Sequence, residues 1–201
     1  MNKKTVKSAP PPLVLASTSP FRRTLLERLK LPFDCVSPEV DETPAADETP
    51  SALVARLSRA KAEAGARRCP DAVVIGSDQL AVCGEQVLGK PGTSARAIEQ
   101  LRMLSGQAVC FHTGLCVSNA ATGQRHECIV DTHVRLRQLT DDEIHRYVAT
   151  DQPLGCAGSF RCESLGIALF EWIRSDDPTA LIGLPLIQLG VFIRAEGIHT
   201  P

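Results

Sequence analysis

The 201-residue sequence has almost no net charge: 22 Lys and Arg offset 23 Asp and Glu, leaving −1. It also lacks a long block of either sign, which argues against a broad nucleic-acid footprint. A small anionic substrate stays open, because it needs only a few well-placed cations. No apolar run approaches the roughly 18–20 residues of a membrane-spanning helix, so no membrane partner is expected. The lysines of MNKKTVKSAPPP look like the start of a signal peptide, but the apolar stretch behind them, Leu13–Ala16, is too short to complete one. Residues 1–12 therefore read as a disordered tail, and 13–201 as a single domain. There is no CxxC among the eight cysteines. With no signal segment and a chain of this length, they read as reduced, space-filling thiols of a cytoplasmic protein. Neither the cysteine nor the histidine spacing fits a structural zinc site.

What is present is 43% apolar residue content, enough for a packed core, arranged in alternating short elements. Leu13–Ala16 (LVLA) reads as a buried strand. Ser17-Thr18-Ser19 then precedes Pro20, which suits the first turn of a helix with Leu25, Leu26 and Leu29 on its apolar face. Phe33–Val36 is a second strand, followed by the acidic, proline-rich loop 38–50. A long helix is expected over Ser51–Arg68. Ala72–Ile75 reads as a strand that ends at Gly76-Ser77-Asp78-Gln79, and Gln86–Leu88 as a short one before Gly89-Lys90-Pro91. A helix near Ser94–Leu104 precedes two long strands, Gln107–Ser118 and Glu127–Arg137, turned at Ala121-Thr122-Gly123. Asp141–Ala149 reads as a helix capped by Thr140. Residues 151–169 form a Gly-, Cys- and Ser-rich loop with a short strand, and Pro185–Glu196 a final helix. The pattern fits an α/β fold with a mixed sheet.

Several constellations carry chemistry. Ser17 through Arg23 lie where a strand feeds a helix, so free amides and the helix dipole favour an anion there, and Arg22 or Arg23 can clamp a phosphate. An ordinary helix cap with a solvated Arg pair would look the same. Asp78, expected at the carboxyl end of a strand, sits where open α/β sheets place ligands and could hold a metal or activate water. A turn cap is the plain alternative. Lys90, between Gly89 and Pro91, and Lys61, among alanines on the long helix, are cations that could meet phosphate oxygens or simply be solvated. Asp41 and Glu42 could help bind a hard cation, or could merely keep the loop soluble.

Taken together, LASTSPFRR, PEVDE, the helix of Lys61, IGSDQ, GKP and CAGSFRCESLGI stand in the order found in the Maf family, which this chain resembles from about Leu13 to Gly197. The resemblance implies a Maf/inosine-triphosphatase-like fold: a mixed sheet flanked by helices, in two lobes with a cleft between them. It implies a nucleoside triphosphate pyrophosphatase that cuts the α–β phosphate bond with a divalent cation, Mg²⁺ or Mn²⁺. By position, Asp78 matches the catalytic base, and Ser17, Arg22, Lys61 and Lys90 match the phosphate-binding residues. Glu42 and Asp78 match the metal-binding carboxylates. The family suggests a homodimer and links its members to septum formation.

The late loop Cys156-Ala157-Gly158-Ser159-Phe160-Arg161-Cys162-Glu163 resembles the branch acting on 7-methyl-GTP, not the branch preferring dTTP and UTP. Phe21 fills a slot that is often aromatic in the former. A guanine methylated at N7 is cationic, so the Phe21 ring could attract its face, while Glu163 accepts from its N–H edge and Gln79 adds an amide contact. Trp172 is a further stacking candidate, or a core residue. Ser164 stands where a glycine is common in this branch, which bears on the fit at the base. Two other readings remain at this point: a dTTP/UTP pyrophosphatase, and a nucleotide-binding regulator of septum formation without turnover. An intact Asp78 with two lysines favours the enzyme.

Overall fold

The computed structural model describes residues 10–200. The expected tail over 1–12 thus falls largely outside the described residues. At its inner end, the Pro12 carbonyl accepts a hydrogen bond from the Val73 N–H.

The elements are β1 (Leu13–Ala16), α1 (Pro20–Glu27), β2 (Asp34–Val36), α2 (Pro50–Arg68), β3 (Val73–Cys83), β4 (Gln86–Leu88), α3 (Ser94–Leu104), β5 (Ala108–Asn119), β6 (Arg125–Leu136), α4 (Asp141–Asp151), β7 (Phe170–Ser175) and α5 (Leu186–Ala195), with short 3₁₀ turns at Ala157–Ser159, Leu165–Leu169 and Ala180–Ile182. Helix starts follow local chemistry. Ser19, Thr49 and Thr93 each cap a helix through the side chain, Pro20 and Pro50 open α1 and α2, and Thr140 with Glu143 forms a complete capping box on α4. Among the described residues no helix is long and apolar enough to cross a membrane.

The sheet runs β2-β1-β3-β5-β6-β7, with β4 on β3. β1 is parallel to β2 and β3, and the other pairs are antiparallel, so the sheet is mixed as expected. Two expectations need correction. The short strand expected within 151–169 is absent: the segment forms 3₁₀ turns, and the strand that follows is β7 at Phe170–Ser175. β3 does not end at Ile75; it continues to Cys83, because β5 pairs with it from Val73↔Asn119 to Val82↔Cys110. The Gly-Ser-Asp-Gln segment that reads as a strand end is the middle of a long strand. It is polar because the chain there passes beyond β1, whose pairing stops at Leu15↔Ile75, and borders a cleft instead of a neighbour.

Two cores share one sheet face. One gathers Leu15, Leu25, Ile75, Leu115 and Leu189 under α1 and α5; the other gathers Leu101, Phe111, Val134, Ile144 and Tyr147 under α3 and α4. The cleft separates these two lobes. On the opposite face α2 lies directly on bare strand backbone. A Cβ on Gly76 would stand 2.2 Å from the Ser58 carbonyl oxygen and 2.5 Å from the Ala62 nitrogen, and one on Gly114 would stand 2.8 Å from the Val54 carbonyl oxygen. These two glycines let α2 approach closely enough to bring Lys61, three residues past Ser58, over β3.

That contact can be tested. Gly76→Ala should force α2 off the sheet and lower stability by about 1–3 kcal/mol, as overpacking does. Urea unfolding should show a lower midpoint at an unchanged slope; a midpoint equal to the parent's would contradict the close approach.

Candidate active site

The cleft has a volume of about 820 Å³ and is lined by residues from both lobes, including Ser17, Phe21, Arg22, Glu42, Lys61, Asp78, Gln79, Lys90 and Glu163. These nine of the residues singled out in the sequence therefore border one cavity of the size that takes a small ligand, whereas Arg23, Asp41 and Trp172 do not.

At its inner wall Lys61 Nζ lies 2.6 Å from Asp78 Oδ1 and 2.6 Å from Glu42 Oε1. Lys61 and Asp78 are nearly buried, with side chains 9% and 11% exposed, whereas Glu42 is open to the cleft at 61%. Charges this deep are costly unless paired, so the ammonium and its two carboxylates hold each other in place. The hydrogen bond from Lys61 holds the Glu42 carboxyl below its usual pKa, and the charges of Lys61, Lys90 and Arg22 add to this.

Glu42 is positioned by contacts that no motif announces. Arg56 on α2 grips Glu48 in a two-pronged pair (2.7 and 2.8 Å) and donates to the Thr43 carbonyl, fastening the acidic loop to the helix. Asp41, adjacent to Glu42 in sequence, turns away and accepts from the Thr43 N–H at 2.9 Å. The carboxylate that meets Glu42 across the cleft wall is Asp78.

The cation side is built by α1. Ser17 Oγ accepts from the Ser19 N–H, and Ser19 caps the helix, so the helix N-terminus faces the cleft. Arg22 donates from Nε to the Gly183 carbonyl at 2.8 Å. Burial lowers its pKa, and the Asp78 and Glu42 charges oppose that shift. Arg23 points outward to Glu27. Lys90 is exposed at the cleft edge.

The turn at Ala180–Gly183 was not singled out from the sequence. Gln79 Nε2 donates to Thr113 Oγ1 and to the Ala180 and Leu181 carbonyls, and Ser77 Oγ lies 2.9 Å from the Gly183 carbonyl. The amide nitrogen of Gln79 is thus engaged in holding this turn, and any contact it makes with a base falls to its oxygen. Behind the turn, buried Asp177 accepts from Thr179 and from the Ile187 N–H, anchoring the start of α5.

At the outer end, Phe21 is half-buried, and the Arg161 guanidinium sits 5.7 Å from its ring centre. Arg161 Nε is also 3.4 Å from Glu163 Oε1. Phe21 and Glu163, expected to act together, are joined by an arginine that the sequence reading left without a role. Ser164 has φ −132°, which any residue adopts, and its hydroxyl donates to Asp151 at the end of α4. The serine ties the loop down where a glycine could not. Trp172 lies on β7 away from the cleft, with Arg174 4.4 Å from its ring centre.

The family model for Maf-like proteins matches residues 12–196. The chain is 56% identical over 187 residues to the 7-methyl-GTP pyrophosphatase of Alkalilimnicola ehrlichii, covering 93% of this chain and 94% of the relative. It is 52% identical over 189 residues to that of Nitrosococcus oceani (94% and 95%), and 53% identical over 190 residues to that of Pseudomonas putida (94% and 99%).

Removing the central cation should expose its role. Lys61→Met leaves Asp78 unpaired in a nearly buried position and should cost roughly 3–5 kcal/mol of stability. It should also raise the Glu42 carboxyl toward its ordinary value. A group whose folded pKa is depressed contributes stability that is present above its unfolded value and lost as pH falls through the folded one. In the variant Glu42 should contribute less stability at neutral pH, and what remains should be fully lost at a higher pH than in the parent, because the folded value lies closer to the unfolded one. Carboxyl NMR titration of Glu42 in both proteins checks this; an unmoved Glu42 resonance would contradict the bridge.

Proposed function

The chain belongs to the Maf family, and from that premise we propose that it is a nucleoside triphosphate pyrophosphatase that hydrolyses 7-methyl-GTP to 7-methyl-GMP and pyrophosphate. The observation that carries the reading is a single cleft with two chemically distinct ends: Asp78, Lys61 and Glu42 with Arg22 at the inner wall, and Phe21 with Glu163 at the mouth. The names of the relatives that share this chain's length support the choice of nucleotide.

In this reading Asp78, with Oδ1 held by Lys61, accepts the proton of the attacking water on its other oxygen or orients that water toward the α-phosphorus. Lys61 holds Asp78 in place and has one ammonium proton beyond its two carboxylate contacts for a phosphate oxygen. Arg22 and Lys90, with Ser17 and the α1 terminus capped by Ser19, hold the phosphates and take up charge as pyrophosphate leaves. Losing one such cation costs about 3 kcal/mol of transition-state stabilisation by analogy with oxyanion-hole donors. Glu42 and Asp78 each keep one carboxylate oxygen outside the contact with Lys61, and these hard donors would hold a Mg²⁺ or Mn²⁺ ion. Such an ion, when bound, neutralises phosphate charge.

At the mouth, a planar cation already rests between the Phe21 ring and the Glu163 carboxylate, in the form of the Arg161 guanidinium. The same two partners suit a cationic 7-methylguanine, one by its face and the other by its N–H edge. A cytoplasmic setting belongs to this reading: all eight cysteines are free thiols, and burial pushes Cys110, Cys128 and Cys156 up to about 11 and Cys116 and Cys162 to about 12.

Two experiments test the proposal. Asp78→Asn should melt like a folded protein and lose most turnover; a wild-type kcat would remove Asp78 from the chemistry. For the base, kcat/KM should be measured for 7-methyl-GTP, GTP, dTTP and UTP. The parent should favour 7-methyl-GTP, and Phe21→Ala should lower that value about tenfold for a cation–π contact of about 1–2 kcal/mol. Glu163→Gln should also impair 7-methyl-GTP, with dTTP and UTP much less affected. A parent that prefers dTTP or UTP, or variants that lose every substrate equally, would reject the base assignment.

A further inference from the structure

A second constellation lies outside the cleft. On the sheet face that α2 crosses at Gly114, β5 and β6 carry a two-by-two grid of donor side chains. The antiparallel register sets Cys110 opposite His133 and His112 opposite Asp131. Alternate residues of a strand share a face, and so do residues directly opposite across a ladder, so all four project together. Their atoms meet. Cys110 Sγ, a carboxylate oxygen of Asp131 and a ring nitrogen of His133 lie within 4.8 Å of one another. His112 Nδ1 is 2.7 Å from Asp131 Oδ1 and 4.0 Å from Cys110 Sγ.

The geometry points to a binding site for a borderline-soft divalent transition metal, with Zn²⁺ the best-matched ion, held by Cys110, Asp131 and His133 and supported by His112. One thiol, imidazole nitrogen and one carboxylate make a mixed sulfur–nitrogen–oxygen set, which suits Zn²⁺ and its neighbours. Mg²⁺ and Ca²⁺ require oxygen ligands throughout. Ligand atoms around a tetrahedral zinc stand about 3.4–3.6 Å apart, from the usual Zn–N and Zn–S lengths. The grid closes to that spacing by small rotations of side chains that are exposed (Asp131, His133) or partly so (Cys110). His112 supplies the carboxylate–imidazole contact that commonly fixes a metal-bound group, and a fourth position is left for water or for His112 itself.

The surroundings are compatible with a cation. Arg174, the cross-strand neighbour of His133, is drawn over the Trp172 ring at 4.4 Å, and Arg135 is paired with Glu171. Binding through Cys110 Sγ releases the thiol proton to solvent. The site is separate from catalysis, since none of its four residues lines the cleft. It does clamp the strand positions on either side of Phe111, whose ring faces the other way, into the cleft and against Phe160.

The test uses the full-length protein stripped of metal. One equivalent of Co²⁺ should produce a thiolate-to-cobalt charge-transfer band, and Zn²⁺ should abolish it by displacement. Cys110→Ser should remove the band, and His133→Ala should weaken Zn²⁺ binding at least about tenfold. Asp131→Asn serves the same purpose should either variant fold poorly. Pyrophosphate release in Mg²⁺ should be unchanged in Cys110→Ser and His133→Ala, showing that the fold and the cleft are intact. A cobalt band that persists in Cys110→Ser would overturn the assignment. So would Zn²⁺ affinity that is the same in all variants, or no saturable binding by the parent.

Discussion

A nearly buried ammonium between two carboxylates is the constraint around which this molecule is arranged. Lys61, Asp78 and Glu42 come from a helix, a strand and a loop that are far apart in local character. Each is brought in by a different device. Gly76 and Gly114 let α2 lie on the strand backbone, which fixes the height of Lys61. β3 runs on past the end of β1 because β5 pairs with it throughout, which carries Asp78 into the cleft. The Arg56–Glu48 pair fastens the acidic loop to α2, which presents Glu42. Lys61 and Asp78 are nearly buried and depend on each other, while Glu42, open to the cleft, adds a second carboxylate to the same ammonium.

Arg22, at the same wall, is held by a neighbouring turn. The turn at Ala180–Gly183 is held by Gln79, Thr113, Ser77 and Arg22 through its carbonyl oxygens. Arg22 is therefore oriented before any phosphate arrives. A cation whose direction is already fixed loses little freedom on binding, which is how a cleft turns charge into transition-state stabilisation. At the mouth, Arg161 keeps the Phe21 face and the Glu163 carboxylate in use, so the base end is also assembled in advance.

Much of the fold was legible in the sequence because its punctuation is strong. Ser17-Thr18-Ser19 before Pro20, and Thr140 before Asp141, mark helix starts, and Ala121-Thr122-Gly123 marks the hairpin. β3 was misread because Gly76, Ser77, Asp78 and Gln79 look like a turn when burial against α2 and the cleft is not known. Of the candidate site, Asp78, Lys61, Glu42 and Arg22 were singled out through the order of motifs, and all four border the cleft; no single motif separates a catalytic residue from a cap or a solvated charge. Arg56, Arg161 and Asp177 carried no signal, since each acts through contacts that depend on the folded loops. The Cys110–His133 grid was invisible for a related reason. Zinc spacing rules read ligands along the chain, whereas these meet only through cross-strand register.

The central claim is that this inner wall directs water to the α-phosphorus. Turnover of 7-methyl-GTP in water enriched in the heavy oxygen isotope tests it most directly, with both products analysed by mass spectrometry. The account predicts the label in the nucleoside monophosphate and unlabelled pyrophosphate. Label in pyrophosphate would mean attack at the β-phosphorus, and labelled orthophosphate would mean cleavage at the far end of the chain; either result would contradict it.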